Sequence, residues 1–96
     1  MKENNFMNEY EKIVKETMEL CKRKNQDYGC SVQDTYEKFG DLSYLTRIAD
    51  KFNRLCTLIT NKEQAVDESI DDTIKDLGNY AFLWMASRSL NKEKED

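Results

Sequence analysis

The sequence predicts an all-α fold of three main helices and one short helix, and three observations support this. The 96-residue chain contains no proline and only three glycines, so the residues that punctuate β-rich proteins are scarce. Apolar residues recur at helical spacing through most of the chain. Hydrophobic residues make up 39% and charged residues 35%, which suits helices with narrow apolar stripes. A small bundle of this kind is expected to complete its core by oligomerisation.

The first helix is predicted over about residues 6–24, where helical spacing relates Phe6, Tyr10, Ile13, Val14, Thr17, Leu20 and Cys21. Residues 25–30 are expected to break it, because Gly29 can adopt a positive φ. Residues 32–39 predict a short helix, and Gly40 is expected to end it.

The third helix is predicted to begin with Asp41 or Ser43 as its N-cap and to end at about Thr60. A connector over residues 61–66 leads to the last helix. That helix is expected to be capped by Asp67 or Ser69 and to end near Leu90. Together the helices predict a single domain over residues 1–96, with a core over about 6–90 and a polar tail over 91–96.

Charged residues of opposite sign line one face of each of the last two helices. In the third helix these residues form the basic ladder, Arg47, Lys51 and Arg54. The core-facing stripe of this helix is predicted to be Leu45, Ile48, Phe52, Leu55 and Ile59. The last helix carries the acidic ladder, Glu68, Asp72, Asp76 and the neutral Asn79, with an opposite apolar stripe of Ile70, Ile74, Leu77, Ala81 and Trp84.

The two ladders have a functional and a structural interpretation. The basic ladder can bind phosphates, by paired hydrogen bonds from arginine and by the point charge of lysine. The acidic ladder can hold Mg²⁺ if Asp50 of the preceding helix completes the set Asp50, Glu68, Asp72 and Asp76. Alternatively, the ladders are hydrated surfaces or pair with each other across the seam between the helices.

A second candidate binding segment is KNQDYG, residues 24–29. Tyr28 can stack on a nucleobase, Asp27 or Asn25 can read its edge, and Lys24 adds a positive charge. Alternatively, the segment is an ordinary helix C-terminus that ends at glycine. Ser43 and Tyr44, at the start of the basic helix, belong to the same candidate binding set, although a core or interface role is favoured for Tyr44.

Composition excludes several other functions. The net charge of −4 argues against general binding of duplex nucleic acid. The chain has no histidine, which removes histidine bases and nucleophilic dyads. Its three cysteines lack CxxC spacing, so neither a disulfide framework nor a zinc site is indicated. No signal peptide or long apolar run is evident, and a cytoplasmic location is expected.

Three blocks carry a resemblance to a known family: KNQDYG, EKFGDLSYLTRIADKFNRL and VDESIDDTIKDLGNYAFL. In this order they resemble the small phage and prophage family called nucleotide modification associated domain 1, over about residues 8–85. The resemblance implies a helical domain linked to nucleotide metabolism and, for a phage protein, a location in the host cytoplasm.

The chain has a looser resemblance to the all-α nucleoside triphosphate pyrophosphatases of the MazG and dimeric dUTPase group, which implies a MazG-like bundle. Those enzymes bind Mg²⁺ through an EExxE helix followed by an ExxD helix. Asp76 matches the last position of the second pattern, but Asp72 lies four residues before it rather than three. The preceding helix offers Asp50 and no EExxE. These departures favour ligand binding over hydrolysis.

The sequence therefore predicts a phage-type protein that sequesters a nucleotide or a nucleotide-derived signalling molecule without catalysis, as an anti-immune sponge would. Two alternatives stay open. One is a Mg²⁺-dependent pyrophosphatase acting on NTPs or dNTPs, and the other is a module that binds a host protein. The expected partners are the small ligand and further copies of the chain, with neither duplex nucleic acid nor a membrane.

Overall fold

The computed structural model describes residues 2–28, 31–61 and 67–95, with side chains described for 4–25, 31–61 and 69–94. Within these residues the chain forms helices α1 (Lys2–Tyr28), α2 (Ser31–Phe39), α3 (Asp41–Thr60) and α4 (Asp67–Glu95), and no strand. The prediction of an all-α fold with three main helices and a short one is confirmed. None of the described helices has the length and apolar composition needed to span a bilayer.

The helices fall into two compact units, residues Met1–Cys30 and Ser31–Asp96. The first unit consists of α1. In the second unit α3 packs against both α2 and α4. Contacts along the seam pair rising residue numbers in α3 with falling numbers in α4, so these two helices run antiparallel.

Two helices are longer than predicted. α1 continues through Tyr28 instead of ending near residue 24. Residues 25–28 contain neither glycine nor proline, so nothing in them stops a helix, while Gly29 and Cys30 lie outside the described residues. α4 runs to Glu95 rather than to about Leu90, because the predicted polar tail consists largely of residues that favour a helix.

The α2–α3 junction is a single residue, Gly40, with a φ of 70°. Its amide donates a hydrogen bond to the Tyr36 carbonyl at 2.7 Å, which ends α2 in the left-handed conformation that glycine tolerates best.

The predicted helix caps are wrong wherever the structure describes them. Gly40 occupies the N-cap of α3, and no side chain caps that helix. Ser43 instead donates its hydroxyl to the Gly40 carbonyl at 2.8 Å, and Asp41 accepts hydrogen bonds from α4. Ser69 lies inside α4, where its carbonyl accepts a hydrogen bond from Thr73, and the side chain of Asp67 is outside the described set.

The core of the second unit is centred on Tyr44, whose side chain is only 1% exposed. Its hydroxyl lies 2.8 Å from the Ser87 hydroxyl, which is also buried. The Tyr44 ring stacks on Trp84 with centroids 6.1 Å apart and contacts Tyr36 at a tilt, with centroids 5.7 Å apart. Three helices therefore meet at one tyrosine.

The seam between α3 and α4 is more polar than predicted, since the apolar stripe of α3 was expected to face the core. Three residues of that stripe, Leu45, Phe52 and Ile59, are each more than half exposed, and two, Ile48 and Leu55, are half-buried. The basic ladder contacts α4, whose partners include the buried hydroxyl groups of Thr73 and Ser87. Polar and apolar side chains therefore share the burial that the stripe alone was predicted to have.

We expect the Tyr44–Ser87 hydrogen bond to stabilise the fold measurably. A double-mutant cycle of Tyr44→Phe and Ser87→Ala should give a coupling free energy of about 1 kcal/mol in urea unfolding, since either single change removes the buried hydrogen bond between the two hydroxyl groups. Tyr80→Phe is the matched control and should change stability by less than ~0.5 kcal/mol, because it keeps the ring that Arg47 contacts. A coupling near zero would contradict this account of the core.

Candidate functional site

The basic ladder is the candidate binding site, and each of its three side chains has a partner on α4. The Arg47 guanidinium lies over the Tyr80 ring, 5.7 Å from its centroid. Lys51 forms an ion pair with Asp76, with a nitrogen–oxygen distance of 3.2 Å. Arg54 donates from Nε to the Thr73 hydroxyl at 3.3 Å. The seven residue steps from Arg47 to Arg54 span roughly 10 Å along the axis of α3.

Only the middle cation of the ladder is paired with a carboxylate in the described part of the chain. Arg47 contacts an aromatic ring and Arg54 a neutral hydroxyl, so neither partner cancels the positive charge. Both contacts nevertheless fix the guanidinium against α4. Among the described side chains, the site thus holds two oriented guanidinium groups that have no carboxylate partner, separated by the Lys51–Asp76 pair.

The acidic ladder is not assembled into one cluster by the described residues. Asp76 pairs with Lys51, while Asp50 and Asp72 are exposed. The side chain of Glu68 lies outside the described set. Among the side chains that are described, no three or more histidine, cysteine, aspartate or glutamate groups are placed to hold a metal ion. Asp50, Asp72 and Asp76 are therefore not brought together in a single chain.

The remaining predicted site residues lie on α1 and at the start of α3. Lys24 is exposed on α1, in the first unit. The side chains of Asp27 and Tyr28 lie outside the described set, although their backbone is helical rather than a loop. Tyr44 is buried in the core, the role that its aromatic ring favoured over ligand contact, and the Ser43 hydroxyl is engaged with the Gly40 carbonyl.

A second polar cluster, absent from the sequence-based prediction, links the start of α3 to α4. The Trp84 indole donates to one oxygen of Asp41 at 2.8 Å, and Arg88 donates to the other at 2.7 Å. The hydrogen bond from Trp84, followed by that from Arg88, holds the pKa of the Asp41 carboxyl below its ordinary value of 3.8. The same carboxylate raises the pKa of Arg88.

One sequence signal could have identified this cluster. Trp84 and Arg88 are four residues apart and so share a helix face, and both side chains donate hydrogen bonds. Asp41 directly follows the helix-ending Gly40, where it was interpreted as a cap. A carboxylate at that position can equally accept from a neighbouring helix, and here it does.

The fold and seam define a small all-α protein with a polar helical hairpin. Comparison with known families places it more narrowly: the nucleotide modification associated domain 1 profile matches residues 24–87. The chain therefore belongs to that family. No curated protein and no solved structure matches the chain.

The pKa of Asp41 predicts a specific acid transition. A carboxyl group with a depressed pKa in the folded state stabilises the fold above its unfolded-state pKa, and this contribution is lost as the pH falls through the folded-state value. Fluorescence of Trp84, the single tryptophan, should therefore change with a midpoint below pH 3.8 while far-ultraviolet circular dichroism still reports helix.

Asp41→Asn should remove this fluorescence transition, because the amide keeps an acceptor for Trp84 but does not titrate. Glu37→Gln is the matched control, since Glu37 pairs with Lys94 and has no contact with the indole among the described residues. A transition that is unchanged in Asp41→Asn would show that another group titrates.

Proposed function

We propose that this protein binds a nucleotide or a nucleotide-derived signalling molecule through its phosphates, without hydrolysing it. The observation that carries the proposal is the basic ladder, in which Arg47 and Arg54 are held by neutral partners and retain their charge. The name of the family, nucleotide modification associated domain 1, supports a nucleotide as the class of ligand.

The contacts of the two arginines suit phosphate recognition. Arg54 uses Nε for Thr73, which leaves the terminal nitrogens of the guanidinium to donate to an anion. The guanidinium of Arg47 lies over the Tyr80 ring. Its N–H groups lie at the edge of the guanidinium plane, where they can donate to a phosphate. Because both groups are already positioned, binding a phosphate costs less side-chain entropy than ordering two free arginines would.

Binding without turnover is favoured by the disposition of the carboxylates. α3 offers Asp50 where the Mg²⁺-dependent pyrophosphatases carry EExxE, and Asp76, the residue that matches their second motif, is paired with Lys51. In a phage, a protein of this kind would sequester a host signalling nucleotide in the host cytoplasm and thereby counter an immune response based on it.

Removal of either arginine should weaken nucleotide binding. We expect Arg47→Ala and Arg54→Ala each to cost about 1.5–3 kcal/mol in binding free energy by isothermal calorimetry, the range for charge-assisted hydrogen bonds. Lys38→Ala is the matched control: it removes one exposed positive charge from α2 and should leave affinity within ~0.5 kcal/mol. Unchanged affinity with a lower melting temperature would make the arginines structural.

The same protein should be tested for turnover. Ligands released by denaturing the purified protein should be identified by mass spectrometry. Common NTPs, dNTPs and cyclic dinucleotides should then be titrated in EDTA and in Mg²⁺, beside a pyrophosphate-release assay. We expect stoichiometric binding that persists in EDTA and no pyrophosphate. Mg²⁺-dependent release of pyrophosphate would establish a pyrophosphatase, and absence of all nucleotide binding would leave a protein-interaction module.

A further inference from the structure

The Lys51–Asp76 pair differs from the other contacts of the basic ladder, because it places a carboxylate inside a site built from positive charges. Lys51 Nζ lies 3.2 Å from Asp76 Oδ2, and the side chain of Asp76 is 53% exposed. An ion pair this open to solvent contributes little to stability, typically less than ~1 kcal/mol. Its role in the fold is therefore small, and its remaining donors and acceptors are available to a ligand.

The pair lies between the two arginines of the ladder. Along α3, Lys51 follows Arg47 by four residues and precedes Arg54 by three. The partners of these residues on α4 have the same spacing in the reverse direction. At ~1.5 Å per residue, the pair lies about 6 Å from one arginine and about 4.5 Å from the other along the helix axes. The order along the seam is therefore arginine, ion pair, arginine.

Both helices set the spacing of the two guanidinium groups. Arg47 and Arg54 are seven residues apart on α3, and their partners Tyr80 and Thr73 are seven residues apart on α4. Seven residues return a side chain to nearly the same side of a helix, roughly 10 Å further along the axis. Because each guanidinium contacts its partner across the seam, the two groups are held apart instead of converging on one phosphate.

The carboxylate of Asp76 disfavours a phosphate group at the middle of the ladder. Carboxylate and phosphate are both negatively charged, and a carboxylate offers only hydrogen-bond acceptors, so oxygens of the two groups repel at close range. Among the described side chains, one oxygen of Asp76 pairs with Lys51, which leaves further lone pairs of the carboxylate. A ligand group that meets this carboxylate must therefore supply a hydrogen-bond donor.

A hydroxyl group satisfies both members of the ion pair. It can donate a hydrogen bond to the Asp76 carboxylate and accept one from the Lys51 ammonium, which has three N–H donors. Hydrogen bonds to ionised groups are shorter and about twice as strong as those between neutral groups. The sugar of a nucleotide carries hydroxyl groups next to its phosphate esters, so one molecule can supply both kinds of contact.

We propose that the Lys51–Asp76 pair binds a sugar hydroxyl of the ligand, while Arg47 and Arg54 bind phosphate groups on either side of that sugar. The ligand is then a nucleoside with separated phosphates, such as a nucleoside 3′,5′-bisphosphate or the equivalent unit of a dinucleotide, rather than a contiguous di- or triphosphate. This inference rests on the proposed function, because it specifies the ligand of the same site. Asp76 is the specificity-determining residue, since its charge excludes a phosphate between the arginines.

Two isomeric arrangements of phosphate test the ligand class. Adenosine 3′,5′-bisphosphate and ADP have the same base, sugar and number of phosphates, and ATP serves as a control for net charge. In calorimetric titrations of the full chain in EDTA, the bisphosphate should bind at least about tenfold more tightly than ADP or ATP, the change expected for one charge-assisted hydrogen bond. The corresponding guanosine, cytidine and uridine ligands should follow the same order.

The 2′-deoxy form of the bisphosphate tests the hydroxyl contact. Wild type should bind it about tenfold more weakly than the ribose form, because the ion pair then faces no hydroxyl. In Asp76→Ala this ratio should fall below about threefold, and ATP should bind at least about threefold more tightly because the repelling carboxylate is gone. Asp76→Asn removes the charge and keeps the shape, so it should also bind ATP more tightly.

Asp71→Ala is the matched control, because it removes an exposed carboxylate from the same helix. Asp71 lies five residues before Asp76 and about 140° around α4, so both ligand ratios should stay at their wild-type values. Circular dichroism should show that each variant remains helical.

The outcomes separate this inference from the proposed function. Failure of every nucleotide to bind would refute the proposed function and the ligand class with it. Binding in which ADP or ATP equals or exceeds the bisphosphate would leave phosphate recognition by Arg47 and Arg54 in place and overturn the separated-phosphate ligand. A ratio between ribose and deoxyribose ligands that is unchanged in Asp76→Ala would overturn the role of Asp76.

Discussion

The structure depends on the burial of Tyr44 between three helices. Its ring contacts Tyr36 of α2 and Trp84 of α4, and its hydroxyl reaches Ser87, so one side chain sets the position of both neighbours of α3. The hydroxyl needs a partner in the seam because an unsatisfied buried donor would be costly. This requirement places the buried hydroxyl of Ser87 in the seam, beside the stacked rings of Tyr44 and Trp84.

The same constraint explains why the basic ladder lies where it does. With Tyr44, Thr73 and Ser87 in the seam, the following turns of α3 present Arg47, Lys51 and Arg54 to α4. Their long aliphatic stems pack between the helices while their charged ends reach polar partners or solvent. A seam of this kind combines modest packing with fixed positive charge, a combination suited to binding anions.

The fold class and the helix count were predictable because they depend on spacing and on the scarcity of glycine and proline. The identity of the buried face was not predictable. Periodicity gives the angle between Phe52 and Lys51 around the helix axis but does not show which of them contacts the neighbouring helix. The apolar stripe was therefore predicted to face the core because its side chains are the more hydrophobic. Asp41 was likewise given a local role, because its position after Gly40 also suits an N-cap, and the spacing of Trp84 and Arg88 does not identify the acceptor that they share.

The neutral partners of Arg47 and Arg54 have a consequence for how quickly an anion can be exchanged. When an incoming ligand displaces a carboxylate from an arginine, an ion pair must break and the abandoned carboxylate must be rehydrated. Here the partners are the neutral Tyr80 ring and the neutral Thr73 hydroxyl, so loss of either contact leaves no unpaired carboxylate. For the phosphate ligand that we propose, arrival and departure would then be governed by diffusion and by screening from dissolved salt, rather than by rearrangement within the seam.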